Sequence, residues 1–169
     1  PTHVNRNPML YKQTIQFALQ GGIIDLTCGM TGSAIPVPQA VKQALDAGVP
    51  LERLTLSSDG NGSMPKFNEN NELIGLTAAA PRYLYEEMLS IVKAGVLPFD
   101  KALQLITCNV ADALKLEDKG RIAVGKDADL IVWNDDLTLN KVFARGRLMV
   151  DEGQAVVLSL IHISEPTRP

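Results

Sequence analysis

The strongest constraint on this chain is a helix pattern that recurs three times, twice running on into a short apolar strand. Tyr11, Ile15, Ala18 and Leu19 repeat at helical spacing, stop at Gly21-Gly22 and lead into Ile23-Ile24-Asp25-Leu26-Thr27. Val37, Val41, Ala44 and Leu45 do the same, stop at Gly48 and lead into Leu54-Thr55-Leu56-Ser57-Ser58. Leu84, Met88, Ile91 and Val92 form a third such face that runs to Gly95. This spacing gives each helix one apolar stripe, and each glycine stands where a helix end favours a left-handed residue. Short apolar strands alternating with such helices make parallel βα units.

Strand ends fall near His3, Thr27 and Asp59, 24 and 32 residues apart. A (β/α)8 barrel of ~250 residues uses about 31 per unit. A doubly wound sheet has similar spacing, so periodicity alone leaves both architectures open. The pattern changes after Pro98. Asp100 is placed to cap a helix containing Leu103 and Ile106, and a second helical stretch runs from Asn109 to Leu116. Beyond Gly120 the chain reads as β: Asp127–Trp133, then Lys141–Val150, then a turn at Asp151-Glu152-Gly153 into Gln154–Val157. The predicted organisation is therefore residues 1–116 as barrel-type units with linking helices, and 117–157 as part of a small β domain. Residues 60–80, with Asn68, Asn70 and Asn71, show no period and read either as a long loop of the kind that forms lids or binding loops or as simple disorder.

Composition narrows the function. A hydrophobic fraction of 46% with 21% charged residues is that of a globular domain. A net charge of −3 without a basic cluster argues against nucleic acid as a partner. No apolar run reaches the ~20 residues of a membrane helix. Cys28 and Cys108 have no metal-ligand spacing and read as a pair of buried, reduced thiols in a cytosolic, cytoplasmic protein.

Both ends are unusual. The chain begins at Pro1-Thr2-His3 with no element before it. From Leu158 to Pro169 it resembles read-through translation of a sequencing-library adapter, so 158–169 is set aside as a non-native tail and His162 is discounted as a ligand. The open reading frame is expected to be truncated at both ends.

In a parallel barrel, the loops after the strands form the active face. His3, in Thr2-His3-Val4-Asn5-Arg6-Asn7, and Asp59, before Gly60-Asn61-Gly62-Ser63, are polar residues at strand ends. Imidazole and carboxylate are usual ligands of zinc. Taken singly, His3 also fits a surface histidine and Asp59 a turn residue; their common position at strand ends favours a site. Arg6 would stand at the same mouth, where a guanidinium suits a substrate carboxylate, though its spacing equally fits a solvated surface arginine; Ser63 can offer its hydroxyl or serve as a plain turn residue. No GxSxG elbow, P-loop or GxGxxG follows a strand.

In order and spacing, Pro1-Thr2-His3-Val4-Asn5-Arg6-Asn7, Ile24-Asp25-Leu26-Thr27 and Thr55-Leu56-Ser57-Ser58-Asp59-Gly60-Asn61-Gly62-Ser63 resemble the isoaspartyl (β-aspartyl) dipeptidases. Lys119-Gly120-Arg121-Ile122 and Gly125–Val132, followed by Ala144–Val150, resemble the return into the small β-sandwich of the amidohydrolase superfamily. The resemblance covers residues 1–157 and implies an α/β fold: the C-terminal part of a TIM barrel, strands six to eight, followed by the last strands of a β-sandwich. It implies that His3 ligates metal at the end of strand six. Asp59, at the end of strand eight, would be both metal ligand and catalytic acid/base, with Arg6 and Ser63 contacting substrate. It further implies two zinc ions, a β-aspartyl dipeptide as the small-molecule substrate and a homo-oligomer. The family's His-x-His pair, carboxylated lysine and further histidine would lie upstream of Pro1, so the piece alone is expected to be inactive. Other readings are another amidohydrolase (dihydroorotase, hydantoinase or D-aminoacylase type) and a non-catalytic assembly protein of the same superfamily.

Overall fold

The computed structural model describes residues 1–32, 34–70 and 72–157, which form two compact units, 1–116 and from 117 onward. The 158–169 tail lies outside the described residues. Among the described residues, no helix is long and apolar enough to cross a membrane.

The first unit is built on βα repeats. A 3-10 turn at Val4–Arg6 precedes helix α1 (Pro8–Leu19), whose start is capped by the Asn7 side chain accepting from the Met9 and Leu10 amides. Proline at its first position suits a helix start, where its missing N–H is not needed. Strand β1 (Ile24–Thr27), helix α2 (Val37–Asp46) and strand β2 (Leu54–Ser57) follow. The two strands are parallel, with Asp25 opposite Thr55 and Thr27 opposite Ser57. Gly21, Gly48 and Gly95 all take left-handed φ angles (94°, 90° and 67°), as expected where these helices end.

The alternation of β1 and β2 divides their side chains between two faces. Ile24, Leu26, Leu54 and Leu56 are buried in the apolar core with Tyr11 and Ile15 of α1 and Val37, Ala40, Val41 and Ala44 of α2. Helix α3 (Tyr83–Lys93) adds Met88 and Ile91; α4 (Phe99–Gln104) adds Ala102, with Leu105 just beyond it. The carbonyl of Leu105 accepts from the Leu56 amide, so the chain after α4 borders β2. Helix α5 (Cys108–Leu114) presents Asn109, a buried amide that donates to the carbonyls of Leu51 and Leu54 and thereby holds the start of β2.

Three expectations change in this unit. Residues 60–80 are not a plain loop, because β3 (Ser63–Phe67) and β4 (Leu73–Ala78) pair there as an antiparallel hairpin. Only Met64 is buried, and β4 is exposed along its whole length, so no buried face imposes the alternation that would reveal strands in sequence. Asp100 lies within the first turn of α4, whose cap position is Pro98. Cys28 is buried and Cys108 only half-buried; both are free thiols.

In the second unit, β5 (Leu130–Trp133), β6 (Leu139–Ala144), β7 (Arg147–Asp151) and β8 (Gln154–Ala155) form one antiparallel sheet in chain order. The stretch 141–150 is thus two strands, since Arg145 and Gly146 both adopt positive φ and reverse the chain. Positive φ at both central residues matches the right-handed twist of paired strands. Lys119 pairs with Asp127 at 2.7 Å and with Asp129, whose carboxyl this lysine and the Arg145 amide hold below the usual range.

Tyr11 ties the first two helices together by donating its hydroxyl to the Ala40 carbonyl at 2.5 Å. Burial pushes that hydroxyl well above the ordinary tyrosine value. An unfolded tyrosine ionises from pH ~10 while the folded one stays neutral, so the unfolded state releases its proton first. Stability should therefore fall as pH climbs past ~10, by up to ~1.4 kcal/mol per pH unit from this group. In denaturant melts, Tyr11→Phe should cost about 1 kcal/mol at neutral pH and make the alkaline loss shallower.

Candidate active site

The second face of β1 and β2 is polar. Asp25 and Thr27 of β1 alternate with the core residues, and Thr55 and Ser57 stand opposite them on β2. The chain's first residues complete this surface: the Pro1 carbonyl accepts from the Asp25 amide at 2.9 Å, so residues 1–3 run beside β1 on the side away from β2.

Asp25 joins these three stretches. Its Oδ2 accepts from the hydroxyls of Thr2 (2.8 Å) and Ser57 (2.5 Å), and its Oδ1 accepts from that of Thr55 (2.8 Å). An ionised carboxylate is an acceptor only, which suits a position surrounded by hydroxyl donors. One side chain thus bridges residues 1–3, β1 and β2.

At the C-terminal end of the same face, His3 has a left-handed backbone (φ 56°) and its Nδ1 lies 2.8 Å from Thr27 Oγ1. Two residues on, the buried side chain of Asn5 donates to the carbonyls of Thr27 (3.0 Å) and Ile35 (3.2 Å), while its oxygen accepts from the Thr27 amide (2.9 Å). His3 and Asn5 therefore both bind one residue, the last of β1.

Asp59 lies two residues past the end of β2, also left-handed (φ 49°) and half-buried. Its loop is held by a 2.8 Å bond from the Gly62 amide to the Asp59 carbonyl and by two bonds between Asn61, Gly62 and Ala79. A Cβ on Gly62 would meet both the carbonyl and Oδ1 of Asp59 at 2.8 Å, so glycine is required for the turn to close over this carboxylate. Because Thr27 pairs with Ser57 and residues 1–3 flank β1 on its other side, His3 and Asp59 stand at the same end of the sheet with β1 between them.

Ser63 is the exposed first residue of β3 rather than a loop residue, paired with Ala78. Arg6 is exposed at the end of the 3-10 turn. With His3, Thr2 and Asn7, and with Leu10, Gln13 and Phe17 of α1, it lines a groove of about 610 Å³. Neither Asp59 nor Ser63 lines that groove. Among the described residues, no group of three or more His, Cys, Asp or Glu side chains converges as a metal site. The donors at the strand ends are the His3 ring nitrogen turned away from Thr27 and the carboxylate of Asp59, the nitrogen and oxygen donors zinc accepts. They can form only part of a metal centre.

Asn5, Asp25, Thr27, Thr55 and Ser57 lie within the sequence motifs, but the motifs assign them no role. Their signal is the alternation itself: in Ile24-Asp25-Leu26-Thr27 and Leu54-Thr55-Leu56-Ser57 every second residue is polar, unusual for barrel strands whose interior is commonly filled by branched apolar side chains.

Residues 35–149 match the amidohydrolase family over more than half of the chain, and the chain belongs to that family. A β-aspartyl dipeptidase from the thermophilic keratin degrader Fervidobacterium islandicum AW-1, crystallised with a β-Asp-Leu dipeptide, superposes with a TM-score of 0.81 at 33% identity. That match covers 95% of this chain and 41% of the dipeptidase. An imidazolonepropionase from Anaeromyxobacter sp. (strain K) is 34% identical over 112 residues, 66% of this chain and 22% of its own. Adenine deaminase 1 of Carboxydothermus hydrogenoformans is 28% identical over 104 residues, 60% of this chain and 17% of its own. The chain spans less than half the length of each. Its fold is thus mixed α/β, and its solved neighbours are amidohydrolase TIM-barrel proteins of which it covers a part.

The hydroxyl network around Asp25 makes a direct prediction. Asp25→Ala leaves the part-buried hydroxyls of Thr55 and Ser57 and the exposed one of Thr2 without their common acceptor and should cost about 1–3 kcal/mol. Chemical denaturation of the variant beside the wild type measures it, and an unchanged midpoint would assign the network no stabilising role.

Proposed function

We propose that this segment supplies part of the active site of a metal-dependent hydrolase acting on β-aspartyl (isoaspartyl) dipeptides. The observation that carries this reading is that His3 and Asp59 stand at the same end of a polar sheet face, on either side of β1. The likeness over 95% of the chain to a dipeptidase crystallised with β-Asp-Leu supports the choice of substrate. His3 and Asp59 would hold metal together with ligands from elsewhere in the full-length protein, zinc being the ion that suits them. When bound, such an ion supplies Lewis acidity and makes water a better nucleophile at neutral pH.

In this reading Asp59 accepts the proton of the attacking water and passes it to the departing amine. Its left-handed backbone and the Gly62 turn hold the carboxylate beyond the strand end. Arg6, exposed beside His3, pairs with a substrate carboxylate, for which a planar guanidinium offers two parallel donors. Ser63 adds a hydroxyl donor to the same ligand.

The full-length protein carrying this segment should cleave β-aspartyl-leucine and leave adenine and imidazolone propionate unchanged. Deamination of adenine without dipeptide cleavage would overturn the substrate assignment. Asp59→Asn should lower kcat on the order of 10²–10⁴-fold, the usual range for loss of a general acid–base group. Arg6→Met should act mainly by raising KM, which steady-state kinetics on the dipeptide would separate from kcat.

A further inference from the structure

We propose that Thr27 is the positioning residue for His3: its hydroxyl accepts a hydrogen bond from Nδ1–H, fixing the ring's tautomer and leaving Nε2 as the donor available to a metal. The inference rests on the reading of His3 as a ligand and adds to it the group that makes His3 competent.

Thr27 is suited to this by being immobile. It is fully buried at the end of β1, and its amide and carbonyl are both bound by the side chain of Asn5. Asn5 is itself buried and tied to Ile35 through both its side chain and its carbonyl. The loop His3-Val4-Asn5 thus closes on Thr27 twice, once by each polar side chain. The 2.8 Å Nδ1–Oγ1 contact is the described hydrogen bond of the His3 ring, so it sets the ring's rotation about the strand end. A neutral imidazole carries one N–H, and placing that proton on Nδ1 leaves the lone pair on Nε2. Histidine ligands generally donate their second nitrogen to a fixed acceptor, and loss of that acceptor weakens metal binding.

Threonine also differs from valine by one hydroxyl in nearly the same shape. At a fully buried position, Thr27→Val keeps the packing and both backbone bonds to Asn5 and removes only the contact to His3. A purely structural threonine would tolerate this change.

The experiment measures zinc affinity by chelator competition, together with thermal unfolding, for full-length Thr27→Val, Thr27→Ser and His3→Ala proteins. Thr27→Val should keep its melting midpoint while zinc binding weakens on the order of 10–100-fold. Thr27→Ser should bind zinc nearly as the wild type does. Wild-type affinity in Thr27→Val, with binding lost in His3→Ala, would overturn the proposal while leaving the metal reading intact. Undiminished binding in His3→Ala would instead overturn the metal reading itself. Should Thr27→Val fail to fold, nitrogen NMR of the labelled wild-type metal-free protein decides. A protonated Nδ1 on His3 supports the assignment and a protonated Nε2 overturns it.

Discussion

The parallel pairing of β1 with β2, with Thr27 opposite Ser57, is the constraint on which the rest of the first unit depends. A strand sends successive side chains to opposite faces, so one register decides both what is buried and what is presented. In this register, Ile24, Leu26, Leu54 and Leu56 meet the helices, and Asp25, Thr27, Thr55 and Ser57 share the other face. A slip of one residue would put Asp25 into the apolar core. Burying a carboxylate there without its hydroxyl donors costs several kcal/mol, which makes the alternative pairing inaccessible. The polar face therefore helps specify the fold as well as, on the proposed reading, carrying the chemistry.

That double use explains why so few residues organise the site. Asp25 draws Thr2, Thr55 and Ser57 onto one carboxylate, and Asn5 fastens the loop after His3 to the end of β1. Both are short side chains whose polar atoms are engaged in the framework, Asp25 across the sheet and Asn5 at the last residue of β1. The rigid element lies beneath, and His3 and Asp59 lie on short left-handed turns above it. A site assembled this way can be precise because its loops are anchored within two or three residues of the functional side chain.

The helices and core strands of the first unit were readable in sequence because a buried face repeats at a fixed period. Tyr11, Ile15 and Ala18 mark α1, and the glycines at 21, 48 and 95 mark helix ends by their left-handed geometry. The hairpin β3–β4 was not readable, since Leu73, Ile74 and Leu76 are all exposed and follow no alternation. The two-strand nature of 141–150 was also hidden, because Arg145-Gly146 lacks the Asn-Gly or Asp-Gly signature common in such turns. His3, Arg6, Asp59 and Ser63 came from strand-end position and motif resemblance. Asn5 and Thr27 did not, because their role is a long-range pairing across 22 residues that no local pattern reveals.

The same division locates where substrate choice is encoded. This chain is similar to a β-aspartyl dipeptidase, an imidazolonepropionase and an adenine deaminase, whose names denote chemically different substrates. A shared barrel framework cannot by itself separate them, since function resides in the groups that a fold presents. On the proposed reading, the residues with freedom to discriminate are those on exposed segments: Arg6 at the 3-10 turn, and Ser63 at the start of an exposed hairpin. Both lie outside the Asp25 and Asn5 networks. If they contact substrate as proposed, changes there would alter what is bound without disturbing the strand register that places His3 and Asp59, and recognition would vary separately from catalysis on this scaffold.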